Sequence, residues 1–537
     1  MASHRITARL ARNTPPPPIA RDNVALASVS EDAAHYPGGH ASGVAHPRSE
    51  AEVVALLRHA TRVLPVGAQS SLTGGATPMG DLVIATTRMD RILRVGGGEV
   101  AVEPGVPLSL LQETLRRAGA WFPPAPTFDG AFAGGIVATN AAGAATFKYG
   151  STRDWVQRLT VVLATGDVLE IDRDAVRGHD DGYFEIDLAG GTVRVPVPDY
   201  RMPPVVKCSA GYYARPRMDL IDLFIGSEGT LGVVTEMTFR VVSPPPARLT
   251  VWMTLATERD AIELVTHLRE ASRETWREGD PRGIDVSGVE HLDRRCLDLV
   301  RATGGTRRHG IDIPDDTEVA LLAQVELPAD VVPIAEDAYA QIAAAETGSA
   351  PDTPLVRLCR LVQRAGVLDR TEIVLPHETR RRDRLAEIRE AVPEAVNRLV
   401  GDARRTVDAR IEKTAADMIV PFEAMGAGLD LFRGAFERRG LDYTIWGHLS
   451  DGNLHPNVIP RSLADVQRGT EAILECGEEV VRLGGCPLAE HGVGRNPVKQ
   501  ALLRRLYGEA GVDQMRRVKA ALDPAGKLAP GVLFPVR

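Results

Sequence analysis

The sequence predicts an α+β protein of more than one domain, and three features support that fold class. Its 537 residues exceed what one hydrophobic core usually organises, so two or three domains are expected. Short strands between glycine-rich turns dominate up to about residue 245, whereas residues 246–440 alternate helical segments with short apolar strands. The run Ser-Pro-Pro-Pro at 243–246 interrupts the pattern and predicts a domain boundary near 245.

Composition and charge narrow the classes of partner. With a net charge of −8 and an isoelectric point near 6.0, the chain gives no reason to expect nucleic acid or an anionic membrane surface. No run of about 18 apolar residues exists, so no transmembrane helix is predicted. Five cysteines without a C-x-x-C spacing indicate reduced thiols and a cytoplasmic protein.

The first 40 residues are predicted to form a flexible tail. They lack the apolar core of a secretory signal, and a transit peptide is the weaker interpretation. Pro15 to Pro18 should be extended rather than helical. Order is expected from about Ser42, beginning with a helix whose capping box runs from Ser49 to Glu52.

A strand at Val63–Val66 runs into a loop of glycine, serine and threonine at 67–80. Such a loop exposes several backbone N–H groups and can hold a phosphate, although a plain glycine-rich turn is the alternative. It lacks the lysine and the spacing of a Walker loop. The absence of a strand–G-x-G-x-x-G–helix unit weakens a nicotinamide interpretation.

A second small-residue stretch, from Gly130 to Thr146, is mostly alanine and glycine with Asn140 in the middle. Close approach of the backbone to a flat ligand needs such residues, whereas packing alone would favour bulkier ones. The rest of this domain is read as three strands, a helix, a hairpin and an insertion. The strands are predicted at 81–87, 99–103 and 231–241, the helix at 107–118, the hairpin at 156–171 and the insertion at 172–206.

In the second region, a helix is predicted from Arg382 to Val400. Its apolar stripe comprises Leu385, Ile388, Val392, Val396 and Leu399. Pro393 inside the helix clashes with the carbonyl four residues earlier, that of Arg389, so a kink could turn Arg389 toward a cleft. The alternative is a solvated surface arginine.

Two motifs, GHLSDGNLH at 447–455 and AEHGVG at 489–494, point to a metal site. A two-residue turn centred on Asp451-Gly452 would place His448 directly opposite His455. With Glu490, the two imidazoles form a His₂Glu set of the kind that leaves one position of a zinc ion open. His491 would remain as a base. The alternative is a set of solvated loop histidines.

Four motifs in the first region resemble a known flavoprotein family: PVGAQSSLTGG (65–75), PAPTFDGAFAGGIVATNAAGA (124–144), YGSTRDWV (149–156) and IGSEGTLGVVTE (225–236). They are similar to the FAD-binding domain of the vanillyl-alcohol oxidase/p-cresol methylhydroxylase superfamily, in its FAD-linked D-2-hydroxyacid dehydrogenase branch. The resemblance implies a two-subdomain FAD-binding domain at 41–245 under an α+β cap. It also implies non-covalent FAD, since the loop offers no histidine. The implied cofactor-binding residues are Pro65, Val66, Gly67, Ala68, Gln69, Ser70, Ser71, Leu72, Pro126, Thr127, Gly134, Gly135, Ala138, Asn140, Gly143, Glu228, Gly229 and Val233.

The second region resembles the same branch at REAVPEAVNR (389–398) and at both histidine motifs. The resemblance implies that Arg389 pairs with the substrate carboxylate, that Lys413 assists it, and that His491 is the base. It assigns a divalent metal, usually zinc, to His448, His455 and Glu490. It also implies a substrate domain over 246–495 and a closing segment, 496–537, that returns to the FAD domain. Ser450, Leu488 and Ala529 depart from the family pattern, and Ala529 replaces an asparagine expected at the flavin.

We therefore expect FAD-dependent oxidation of a D-2-hydroxy acid to the 2-oxo acid, passing electrons to an unidentified acceptor. The alternatives are a flavin-dependent transferase like alkylglycerone phosphate synthase, a flavoprotein subunit inactive alone, and an aryl-alcohol oxidase. A metal bound to His448 and His455 would count against the transferase. The hydroxy acid, peripheral membrane contact and homodimer formation stay open.

Overall fold

The structure, a computed structural model, describes residues 3–124, 126–331, 333–347 and 350–536. The chain divides into two compact units. Unit 1 comprises Met1–Gly143, Gly150–Pro244 and Cys486–Arg537; unit 2 comprises Ala144–Tyr149 and Pro245–Gly485. The boundary between residues 244 and 245 lies within the Ser-Pro-Pro-Pro run at 243–246. The return to unit 1 begins at Cys486, before the expected 496, so the AEHGVG motif belongs to unit 1 rather than to the substrate domain.

The first 244 residues carry thirteen strands and six helices in the described ranges. These are β1 (Arg5–Thr7), β2 (Arg9–Leu10), β3 (Ile19–Ala20), α1 (Asn23–Ala27), β4 (Gly43–Ala45), α2 (Glu50–His59), β5 (Val63–Val66), β6 (Leu82–Ala85), β7 (Ile92–Gly96), β8 (Glu99–Val102), α3 (Leu108–Arg117), α4 (Ala133–Thr139), α5 (Thr146–Tyr149, in unit 2), β9 (Val156–Val162), β10 (Asp167–Asp172), β11 (Tyr183–Leu188), β12 (Gly191–Pro196), α6 (Ile221–Phe224) and β13 (Val233–Arg240).

The remainder of the chain adds eight strands and nine helices within the described residues. They are β14 (Ala247–Leu255), α7 (Glu258–Glu278), β15 (Val286–Asp293), α8 (Arg294–Ala302), α9 (Gly305–His309), β16 (Val319–Leu327), α10 (Ala335–Thr347), α11 (Pro354–Arg364), β17 (Thr371–Val374), α12 (Thr379–Thr406), β18 (Thr414–Ala415), β19 (Met418–Ile419), α13 (Met425–Glu437), β20 (Tyr443–His448), β21 (Asn453–Val458), α14 (Leu463–Arg482) and α15 (Pro497–Leu522).

Unit 1 contains three sheets. A four-stranded sheet has the order β3-β4-β6-β5, with parallel pairing of β4 and β5 to β6. A six-stranded sheet has the order β2-β10-β9-β13-β8-β7, and β1-β11-β12 form a small third sheet. The core beside the four-stranded sheet includes α2 and Leu528, so the C-terminal segment is part of it.

The expected flexible tail differs from what the structure describes between residues 3 and 40. β1 pairs with β11, β2 with β10, and β3 with β4, so each strand extends a sheet of unit 1. Each strand has only two or three residues; β1 and β2 are largely exposed, and β3 is half-buried. Such short pairings leave no apolar alternation in the sequence, which is why pattern reading missed them.

Local sequence explains several element boundaries. The Ser49 side chain accepts the Glu52 N–H and caps α2, but the Glu52 carboxylate accepts from Arg48 rather than from Ser49, so the expected reciprocal box is only half formed. Helix α4 ends at Asn140, whose φ of 49° is the left-handed conformation that asparagine tolerates.

Unit 2 is built on one sheet of eight strands. Its order is β17-β14-β16-β15-β20-β21-β18, and β19 also pairs with β21. Helix α12 runs through Pro393 and buries Leu385, Ile388, Val392 and Val396 against this unit's core. The expectation for Leu399 was wrong, because Leu399 is exposed and Val400 is buried instead.

In the described residues, no helix is both long and apolar enough to cross a membrane.

Candidate active site

The glycine-rich loop after β5 presents backbone donors. Gln69 has φ +53°, and its side-chain amide donates to the carbonyls of Val29 and Glu31, which pins the loop to the N-terminal segment. Among the described residues, the N–H groups of Ala68, Gln69 and Ser70 reach no protein acceptor. Consecutive N–H groups around a left-handed residue form an anion-binding nest. The loop therefore fits the pyrophosphate of FAD.

Two adjacent glycines in α4 have different reasons for being glycine. A Cβ on Gly134 would lie 2.7 Å from the Pro104 side chain, so this position is required by packing. A Cβ on Gly135 would meet nothing within 4 Å. Open space beside a helix of small residues is what a flat ring system needs, so Gly135 fits a ligand-facing role.

Asn140 and Glu228 hold backbone around this helix. Asn140 Oδ1 accepts the Arg153 N–H at 2.9 Å, and the Glu228 N–H donates to the Ala138 carbonyl at 2.8 Å. Both residues have positive φ, of 49° and 51°. Their observed contacts shape the wall predicted to line FAD.

The Glu228 carboxylate also braces the AEHGVG loop within unit 1. It accepts the N–H groups of Val493 and Gly494, both at 2.8 Å. Burial raises the pKa of Glu228 to about 7, against the opposing effect of these two donors. A Cβ on Gly492 would lie 2.9 Å from the carboxylate, so glycine is needed there.

Glu490, the predicted metal ligand of unit 1, lies against a buried lysine that the sequence did not single out. Lys207 Nζ donates to Glu490 Oε1 at 2.5 Å, and the lysine side chain is fully buried. His491, the predicted base, follows in the same loop and is half-buried. The ammonium holds one carboxylate oxygen in a charge-assisted hydrogen bond.

In unit 2 the two predicted histidine ligands lie together, but their register was predicted wrongly. β20 and β21 pair His448 with Asn453 and Trp446 with His455. The connection is a 3₁₀ turn, Leu449–Asp451, followed by Gly452 with φ 92°, rather than a two-residue turn. The two histidines are therefore diagonal neighbours on one face, with ring centroids 5.4 Å apart and rings nearly perpendicular.

Each imidazole has a carboxylate beside its Nδ1. His448 Nδ1 lies 3.2 Å from Glu290 Oε1, and His455 Nδ1 lies 3.5 Å from Asp417 Oδ1. Asn453 donates to the same Asp417 oxygen at 3.0 Å and fixes it. A carboxylate behind Nδ1 orients a histidine for metal binding through Nε2, so these residues fit a divalent metal.

Arg389 shares a carboxylate with this histidine pair. Its Nε lies 3.4 Å from Glu290 Oε2, so Glu290 bridges Arg389 and His448. Arg389 Nη1 also donates to Glu390 at 2.8 Å. Burial alone would lower the pKa of this guanidinium, but Glu290 and Glu390 outweigh it and raise the pKa. Lys413 is exposed, just before β18.

The loop between β20 and β21 is held by Ser450, the residue that departs from the family pattern. Its hydroxyl accepts the Val289 N–H at 3.0 Å, and its carbonyl accepts from Arg269. The Arg269 guanidinium lies 3.9 Å above the Phe422 ring. The serine thus supplies a loop contact that a glycine could not.

Sequence reasoning missed four polar residues at these sites: Glu290, Asp417, Lys207 and Arg269. Asp417 lies in the quoted KTAADMIVP segment and could have been noticed there. The others stand alone in apolar or unremarkable surroundings. Only the strand pairing of unit 2 and the packing of unit 1 bring them to the motifs.

Comparison with known proteins identifies the class. Residues 264–533 match the family described as FAD linked oxidases, C-terminal domain, and residues 41–172 match the FAD binding domain. The first match covers half of the chain, so the chain belongs to the FAD-linked oxidases. The expected α+β fold, an FAD-binding domain with a C-terminal oxidase domain, is confirmed, as is an FAD-dependent oxidoreductase.

Relatives match along most of their length at modest identity. The chain is 27% identical to the glycolate oxidase subunit GlcD of Bacillus subtilis, over 91% of this chain and 88% of that protein. It is 28% identical to the D-2-hydroxyglutarate dehydrogenase of Xanthomonas citri pv. viticola, over 91% and 89%. An alkyldihydroxyacetonephosphate synthase structure aligns with TM-score 0.58 at 15% identity, over 95% of this chain and 82% of that chain, and shows the shared fold.

Proposed function

We propose that this protein oxidises a D-2-hydroxy acid, of the D-lactate, glycolate or D-2-hydroxyglutarate type, to the 2-oxo acid. The observation that carries the proposal is the bridging position of Glu290 between Arg389 and His448. It joins a carboxylate-binding group to a metal-binding group within one unit. The names of the relatives support this substrate class.

The proposed roles divide between binding and proton transfer. Arg389 binds the substrate carboxylate with two parallel N–H donors, which fixes both position and orientation. Its contacts with Glu290 and Glu390 hold the fork in place before substrate arrives. Lys413 is the proposed second cation for the substrate. His491 takes the hydroxyl proton as general base, a role suited to an imidazole near neutral pH.

The loop after β5 and the wall around α4 would hold FAD, which when bound would supply a two-electron acceptor for the hydride of the substrate α-C–H. The glycines and the backbone donors of unit 1 would hold it without a covalent bond.

His448, His455 and Glu490 would hold a divalent metal, with zinc the first choice for two imidazoles and a carboxylate. Such an ion supplies Lewis acidity toward an alcohol oxygen. The chain's own contribution is the charge around the ligands. Glu290 and Asp417 strengthen the basicity of the two histidines, and Lys207 orients Glu490.

The test is the visible spectrum of the purified protein, recorded anaerobically before and after addition of both enantiomers of several 2-hydroxy acids. We expect one D-acid to bleach the flavin, and chelation of the metal to abolish the bleaching. His491→Ala, with flavin and metal content unchanged, should bleach about 10²- to 10⁴-fold more slowly. A flavin that no hydroxy acid bleaches would contradict the proposal and favour the transferase or the inactive subunit.

A further inference from the structure

Two of the five cysteines contact each other in unit 1. Cys208 Sγ lies 3.5 Å from Cys486 Sγ, although the residues are 278 positions apart in the sequence. Cys208 is partly exposed and Cys486 is fully buried. The chain offers no C-x-x-C motif, so only the fold brings these thiols together.

The surroundings of the pair are specific. Cys486 Sγ lies 3.2 Å from the carbonyl of Leu488 and donates to it. The next residue along from Cys208, Ser209, donates its N–H to the same carbonyl at 3.0 Å. The Tyr507 hydroxyl lies 3.7 Å from Cys208 Sγ. The two cysteine-bearing segments are therefore already tied together beside the thiols.

We propose that Cys208 and Cys486 form a redox modification site that a hydroperoxide converts to an intramolecular disulfide. A sulfur–sulfur contact of 3.5 Å must close to about 2.05 Å, a movement that rotation of two cysteine side chains shares. The site goes beyond the proposed oxidation of a hydroxy acid and does not depend on it.

The chemistry balances with hydrogen peroxide as oxidant. The Cys208 thiolate attacks one peroxide oxygen, the O–O bond breaks, and Cys208 sulfenic acid and hydroxide result; the hydroxide takes up the proton that the thiol had released and becomes water. The Cys486 thiol then attacks the sulfenic sulfur and releases a second water as the disulfide forms. A dithiol reverses the change by exchange.

Exposure and acidity assign the first step to Cys208. Cys208 is the less buried residue of the pair, whereas Cys486 is fully buried. The contact with Cys486 lowers the pKa of Cys208 to about 7, although burial opposes the shift. A thiol whose pKa is near the ambient pH combines thiolate content with nucleophilicity. Cys486 then acts as the resolving thiol.

A disulfide between Cys208 and Cys486 would join the two segments that carry Lys207 and Glu490. Cys208 follows Lys207, and Cys486 begins the segment that carries Glu490, the partner of Lys207. The bond would fix these two segments of unit 1 covalently. It would also enclose 245–485, the long part of unit 2, in one covalent loop.

The test treats the flavin-loaded full chain with hydrogen peroxide, alkylates the remaining thiols after denaturation, and maps peptides by mass spectrometry. We expect two of the five thiols to disappear, the intact mass to fall by about 2 Da, and one cross-linked peptide pair containing Cys208 and Cys486. Dithiothreitol should restore all five. These readouts use the natural chain, so they do not depend on whether a variant folds.

Variants sharpen the assignment. Cys208→Ser and Cys486→Ser should each lose the cross-link, whereas Cys476→Ser, a buried cysteine of α14, should still lose two thiols. Five thiols surviving oxidation, Cys208 sulfinic acid without a cross-link, or the same two-thiol loss in Cys208→Ser would overturn the proposal. A protein that oxidises no hydroxy acid yet forms the disulfide would leave it intact.

Discussion

The two units prepare their candidate ligands with opposite charges. In unit 2, His448 and His455 each face a carboxylate, Glu290 or Asp417. In unit 1, Glu490 faces the ammonium of Lys207. Neutral ligands are thus supported by anions and the anionic ligand by a cation. The comparison indicates that neighbouring charges hold each ligand in position within its own unit before any metal is bound.

The largest expected effect follows removal of an imidazole. His455→Ala should lower turnover by roughly 10³-fold, because a Lewis acid contributes several kcal/mol to such a reaction. The metal content per chain, measured by elemental mass spectrometry, should fall together with turnover. The FAD content should stay at the level of the natural chain. Full turnover with no metal bound would remove the metal from the proposal.

Breaking the pair in unit 1 should cost stability. Lys207→Met leaves the buried Glu490 without its ammonium, and loss of one partner from a buried ion pair typically costs about 3 kcal/mol. Urea unfolding measures the loss. The double variant Lys207→Met/Glu490→Gln removes both charges and should recover much of it. A double variant no more stable than Lys207→Met would show that Lys207 acts through other contacts.

In unit 2, Glu290 and Glu390 form a matched pair for testing the carboxylate behind the histidine. Both contact Arg389, and Glu290 also lies 3.2 Å from His448 Nδ1. Glu290→Gln should weaken metal affinity about 10- to 100-fold, the usual effect of losing such a partner. Glu390→Gln should leave metal affinity unchanged. Competition with a chelator measures the metal affinity of both variants. Equal losses of affinity would indicate that the effect arises through Arg389, which both carboxylates contact.

The fold class and most long elements could be predicted because their burial is periodic. In β13, Val233, Thr235, Met237 and Phe239 are buried, as the alternating pattern indicated. In α12 the predicted stripe failed only at Leu399, near the end of the predicted helix. The helix continues to Thr406, and Val400 takes the buried place.

The motifs could be found, but not the contacts that position them. The turn between β20 and β21 could not be inferred from Asp451-Gly452, because His448 pairs with Asn453, two residues before the predicted partner His455. Its shape depends on Ser450 bonding to Val289, far away in sequence. Lys207 directly follows the region predicted as an insertion, 172–206, and lies 283 residues from Glu490 in the sequence. The sequence around a single lysine does not predict a contact with a carboxylate so far away in the chain.

Glu228 gives unit 1 a pH dependence of predictable sign. Its folded-state pKa, about 7, is above the ordinary value of 4.5, so the folded chain holds this proton where the unfolded chain has released it. Its contribution to stability is therefore full below pH 4.5 and is lost as the pH rises toward 7. The loss should be about 1–2 kcal/mol, since the residue is partly solvated.

Comparison with Glu228→Gln isolates this effect. Urea unfolding of both proteins at pH 5 and pH 8 should show a steeper fall in stability for the natural chain. The glutamine removes the titration and, like the protonated glutamate at pH 5, offers one carbonyl oxygen to Val493 and Gly494, so the two proteins should have similar stability at pH 5. Identical pH profiles for the two proteins would contradict the assignment.

The smallest expected effect concerns Ala529, the departure from the family pattern in the closing segment. It is fully buried, has φ +42°, and its N–H donates to Val63 at 2.8 Å. A left-handed alanine costs about 1–2 kcal/mol, and glycine relieves this cost while losing about 0.4–1 kcal/mol through the freer unfolded chain. Ala529→Gly should therefore stabilise the protein by roughly 0.5–1 kcal/mol in urea unfolding. Ala525→Gly, in the neighbouring exposed turn, has no positive φ to relieve and should not stabilise. Equal effects at both positions would mean that the backbone at Ala529 carries no strain, and the asparagine expected there would need another explanation.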